Sequence, residues 1–136
     1  MDLLAATPTF KTSKFKFIDP DTDEPACTDK GDEMHVTLYG PHTIEFMKKE
    51  EEKRKRMRAI AKKYSLKKGG EINAQAIQDA AKCDIQFQCD ITKDILVQIN
   101  GKTCTSKKEF YSNKDLSPWI LEIAKFIYSK KNFMPN

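Results

Sequence analysis

Hydrophobic and polar residues alternate twice near the start of the chain, in "KFKFID" and in "MHVTLYG". In the first, Phe15 and Phe17 fall on one side and Lys14 and Lys16 on the other. In the second, Met34, Val36 and Leu38 oppose His35, Thr37 and Tyr39. Period-two alternation marks a half-buried strand. The pair, joined by an acidic connection containing Pro20 and Pro25, predicts an antiparallel β-hairpin over residues 13–40. Residues 1–12 lack periodicity and read as a flexible arm.

Gly40-Pro41 ends the second strand, and the period then becomes helical. Thr43 is placed to cap a helix of five or more turns, with Glu45 in its first turn where the helix dipole favours an acid. Apolar residues occupy only its two ends: Ile44 and Met47, then Met57, Ile60, Ala61 and Tyr64. Lys48 to Arg56 are nine consecutive charged residues. Glu50 with Arg54, Glu51 with Lys55 and Glu52 with Arg56 have i,i+4 spacing, each pair worth roughly a few tenths of a kcal/mol. Lacking an apolar face, this middle is expected to stay off the core, in solvent or against another molecule.

"LKKGGE" supplies a stop and a turn before a second helix, "EINAQAIQDAAKCDIQFQCDI". Its stripes, Ile72, Ala76, Ala80 and Cys83 beside Ile77, Ala81 and Ile85, predict a core-facing helix able to pack closely. In "ILVQINGKTCT", Asn100-Gly101 between two β-prone runs is a strong hairpin signal. "SKKE" is a capping box opening a short helix through Tyr111. Ser117-Pro118, read as N-cap and N1, opens a last helix. Ile120, Ile123, Ala124 and Ile127 form its buried stripe, with Lys125, Lys130 and Lys131 on its polar side. The fold class is α+β: one domain over 13–136, a mainly helical body (42–131) with an N-terminal antiparallel β-hairpin.

At 136 residues the chain can enclose a core without staples. "MDLLAATPTF" has no secretory pattern, and no segment nears the ~18 apolar residues of a membrane span. A soluble intracellular protein is expected. Cys27, Cys83, Cys89 and Cys104 contain no C-x-x-C pair and read as free thiols. His35 and His42 form no zinc motif. The net charge of +4 is uneven: −4 over residues 1–41, +7 over 42–68 and +1 over 69–136. Such separation favours charge-complementary contacts between subunits or with a partner.

"FIDPDTDEP" has the spacing of a calcium loop at Asp19, Asp21 and Asp23, then fails where geometry is decided. Glu24 stands where the sharp turn needs glycine, and Lys30 where the last carboxylate belongs. It reads as a strand connection, with no metal and no cofactor. "KKGGE" lacks the spacing of a phosphate-binding loop, and no nucleophile sits in a recognisable frame. The chain is read as no enzyme. Eleven Lys/Arg in residues 42–68 would suit phosphate contacts. Interleaved glutamates and missing aromatics argue against nucleic acid and for a solvated or protein-contacting face. Trp119 reads as a packing anchor or as the edge of a partner groove.

Three segments together resemble the tail assembly chaperones of long-tailed bacteriophages: "IDPDTDEPACTDKGDEMHVTLYGPHTIEF", "ILVQINGKTCTSKKEFYSN" and "LSPWILEIAKFIYSKKNFM". The resemblance spans roughly residues 15–134, nearly the whole chain. Asp23 stands where that family commonly has glycine, and Phe87 near where it has an aromatic such as tryptophan. The resemblance implies a non-enzymatic factor in the cytoplasm of the infected bacterium, absent from the mature virion. It would bind the tape measure protein, keep it soluble, recruit tail tube protein and self-associate; no membrane is involved. The hairpin would project as an assembly element. Candidate contact residues are Phe15, Phe17, Asp21, Asp23, Val36, Leu38 and Tyr39 on the hairpin, Arg54, Arg56 and Arg58 on the long helix, and Trp119 and Phe126 near the end. A structural tail or head-to-tail connector subunit, or a small nucleic-acid-binding protein using the basic helix at 48–63, are the alternative readings.

Overall fold

In the computed structural model, which describes residues 2–64 and 73–135, both alternating segments are strands. β1 (Thr12–Lys16) and β2 (His35–Tyr39) pair antiparallel, with Phe15 opposite Val36. A second hairpin joins β3 (Thr92–Ile99) to β4 (Lys102–Cys104). Its turn residues Asn100 and Gly101 hold φ of 51° and 78°, the left-handed pair that a two-residue hairpin loop requires. β2 also pairs with β3, so the hairpins merge into one antiparallel sheet of order β1-β2-β3-β4. The protein is α+β.

That strand order corrects the projecting hairpin. β2 is an interior strand, and Val36 and Leu38 are each 0% exposed. The connection from β1 to β2 is also more than a turn. Ala26 N–H donates to Phe17 C=O (2.7 Å) and Met34 N–H to Ala26 C=O (2.8 Å), so a third run of chain lies between the hairpin's ends. On one side of that run, Asp19 N–H reaches Glu24 C=O and Asp23 N–H reaches Asp19 C=O, both at 2.8 Å. Asp23 holds φ 58°, a left-handed conformation that Asp tolerates better than most residues. On the other side, Asp29 N–H donates to Gln98 Oε1 (2.8 Å) and Gln98 Nε2 donates to Asp29 Oδ2 (2.9 Å), pinning the acidic connection to β3.

α1 (Ile44–Lys63) begins as its residues predict, with the Thr43 hydroxyl accepting from Phe46 N–H at 3.2 Å. α2 (Ala74–Asp90) is capped by Asn73 and runs back along α1. Phe46 meets Phe87 at 5.4 Å between ring centres, and Tyr64 O–H donates to Asp79 Oδ2 at 2.7 Å towards the other end. The "LKKGGE" stop and Ile72 lie outside the described residues. Of the expected stripes of α2, Ala76 is buried and Ala80, Cys83 and Ile85 are half-buried, but Ile77 and Ala81 are exposed. Of the second stripe, only Ile85 therefore packs against the core.

α3 (Lys107–Ser112) has the predicted cap, Ser106 accepting from Glu109 N–H. α4 (Ser117–Ile127) starts differently from expectation. A 3-10 turn over Lys114–Leu116 leads into it, and the Ser117 hydroxyl donates to Lys114 C=O (2.6 Å) instead of capping. Both helices cover one face of the sheet. Phe17 packs edge-on against Phe110 (6.0 Å) and Trp119 (5.0 Å), and Phe15 against Phe126 (5.5 Å). The N-terminal arm is docked from Thr9 onward, where Thr9 and Phe10 N–H share the Phe133 carbonyl.

Candidate protein-binding groove

α4 carries more apolar residues than one buried stripe can use. Ile123 and Ile127 enter the core, while Ile120, Ala124 and Tyr128 turn towards the last turns of α2. The two helices leave a cleft of about 200 Å³ between them, walled by Phe87, Ile91, Ile120, Ile123, Ala124, Ile127 and Tyr128. Leu121 and Tyr128 are 58% and 63% exposed. With Ala124 they recur at i, i+3 and i+7, extending the apolar wall over the outside of α4.

Two polar features of the cleft, the Tyr111 phenol and the Lys53–Asp84 pair, are already satisfied. Tyr111, at its floor, lies 2.7 Å from the Thr92 hydroxyl, which itself donates to Gln88 C=O; the phenol is therefore the donor. Burial pushes the Tyr111 phenol up to about 12, so it stays neutral. At the rim, Lys53 Nζ pairs with Asp84 Oδ1 at 2.9 Å and lies 4.9 Å from the centre of the Phe87 ring. An apolar floor with a charged rim can hold the apolar face of a helix while its polar edges remain hydrated. Lys53 also corrects the expectation for the middle of α1. Its alkyl stem and ammonium pack on α2, the way a long cationic side chain covers apolar surface.

A second cleft, of about 210 Å³, lies at the acidic end of the sheet. Ile18, Met34, Ile99, Leu116 and Trp119 form its walls, with Asp19 among them.

The predicted contact residues divide by burial. Phe17, Val36 and Leu38 are core residues, closed to any partner unless the fold opens. Phe15, Tyr39, Trp119 and Phe126 are half-buried and packed against that core. Asp21, Asp23, Arg54, Arg56 and Arg58 are exposed. Arg54 pairs with Glu50 (3.0 Å) and Glu51 (3.5 Å), Arg58 with Glu51 (3.4 Å), and Lys49 with Glu52 (3.4 Å). The expected Glu51–Lys55 and Glu52–Arg56 pairs are not formed.

Among the described residues, no group of three or more His, Cys, Asp or Glu is arranged to hold a metal ion. The cysteines are free thiols, Cys27 exposed and Cys104 buried. Desolvation raises the thiol pKa of Cys89 and of Cys104. No described helix is long and apolar enough to cross a membrane. No protein-family model, curated protein or solved structure matches the chain.

Proposed function

We propose that this protein is a tail assembly chaperone of a long-tailed bacteriophage, holding amphipathic helical segments of the tape measure protein in the groove between α2 and α4. The groove is the observation that carries the reading. A helix with apolar residues at i, i+3, i+4 and i+7 fits an apolar cleft bounded by a satisfied ion pair. Unbound, such segments expose their stripes to one another and aggregate. Held on α4, they remain soluble until tail tube subunits replace the chaperone. The protein then acts without catalysis in the host cytoplasm and is not retained in the virion.

Co-expression with the tape measure protein tests this. The wild-type chain is expected to raise the soluble fraction of its partner several-fold. Ala124→Arg, which fills the groove from an exposed helical position, is expected to abolish that rise while its own thermal unfolding is unchanged. No rescue by the wild-type chain would sink the reading.

A further inference from the structure

Residues 18–34 hold seven carboxylates against one lysine. Their backbone is fixed by two sets of turn hydrogen bonds and by the Asp29–Gln98 pair. Beside them opens the cleft walled by Ile18, Met34, Ile99 and Trp119. An apolar hollow next to a fixed acidic surface fits an apolar side chain flanked by cations.

The chain itself carries such a surface. Ile44, Met47, Lys48 and Lys55 recur at i, i+3, i+4 and i+11 and share one face of α1. Ile44 is 68% and Met47 53% exposed. Among the described residues Lys48 and Lys55 make no ion pair, whereas Glu51, on the same side, is taken by Arg54 and Arg58. The two surfaces of one molecule cannot meet. The cleft lies where β1 and β3 end, and α1 starts beyond the opposite end of β2, roughly 16 Å away at the rise of a strand. Phe46, held against Phe87 and Tyr128, fixes the start of α1 there.

We propose that Ile44 and Met47 of one copy dock in the Trp119 cleft of a second copy, with Lys48 and Lys55 on its acidic connection. Donor and acceptor patches differ, so the contact is heterologous and each copy can engage two others. It is independent of what occupies the α2–α4 groove.

Sedimentation velocity on the full chain, purified and nuclease-treated, tests the contact. Association is expected to rise with concentration and weaken with salt. Lys48→Glu with Lys55→Glu should weaken it by about tenfold or more, since carboxylates then face carboxylates. Asp21→Lys with Glu24→Lys should separately weaken it, since seven carboxylates against one lysine become five against three. Mixing the two variants should restore one contact per pair, because the unaltered α1 face of one then meets the unaltered acidic connection of the other. Met47→Ser should weaken association while leaving its salt dependence. A monomer at every concentration, indifference to both reversals, no restoration on mixing, or association lost on nuclease treatment would each overturn the contact. Soluble tape measure protein, read in parallel, reports on the groove alone.

Discussion

Tyr111 and Thr92 share one hydrogen bond beneath the groove, and the consequences are measurable in pH. A phenol ionises near 10 when solvated; burial moves Tyr111 to about 12. The folded state thus prefers the neutral form, and the resulting stability is complete below pH 10 and lost as pH rises through about 12. A titration of phenolate absorbance should show Tyr111 ionising near 12, with unfolding promoted over that interval and worth of the order of 2–3 kcal/mol. Thr37 offers the opposite case. Its buried hydroxyl has no hydrogen-bond partner within bonding geometry. It lies opposite Asp94 across β2 and β3. Since Asp94 is half exposed, the unsatisfied hydroxyl should dominate, and Thr37→Val is expected to raise the melting temperature by roughly a few degrees. A lower melting temperature would mean that the hydroxyl's contact with Asp94 matters more. Neither feature was legible in the sequence, because each depends on a partner 19 or 57 positions away, which periodicity does not specify.

At the scale of elements, caps and turns were readable because their chemistry is local. Thr43, Ser106 and Asn100-Gly101 act through neighbours within a few residues. Alternation in β2 was readable too, but it looks the same in an edge strand and an interior one. The hairpin was therefore expected to project, although pairing with β3 buries it. Lys53 was hidden for a different reason: as one of nine consecutive charges it carries no apolar signal, and only α2 shows what its stem covers. Lys53→Ala should lower stability by about 1–2 kcal/mol, by losing the Asp84 pair, the contact with Phe87 and stem packing. Lys53→Met, which keeps the stem, should recover roughly half of that loss in chemical denaturation. An equal loss in both variants would place the effect in the charge alone. The groove left one trace in the sequence. α4 has apolar residues at Ile120, Leu121, Ile123, Ala124, Ile127 and Tyr128, a span wider than a single buried stripe.

Over the whole molecule, the groove and the acidic cleft are separate surfaces, and the single tryptophan reports on only one of them. Trp119 lines the cleft at the acidic end and is absent from the walls of the groove. It is half-buried, so a partner side chain entering the cleft would remove water from the indole. Raising the protein concentration at low salt should therefore shift Trp119 emission to the blue, and salt should reverse the shift as charge attraction is screened. Adding an amphipathic helical peptide that lacks tryptophan should saturate the groove without that shift. In the Lys48→Glu, Lys55→Glu protein the concentration-dependent shift should vanish while peptide binding persists. A peptide that moves the emission of the dilute wild-type protein would show that one surface serves both roles. The separation of an α4 groove for a client helix from an α1 contact between copies would then be wrong.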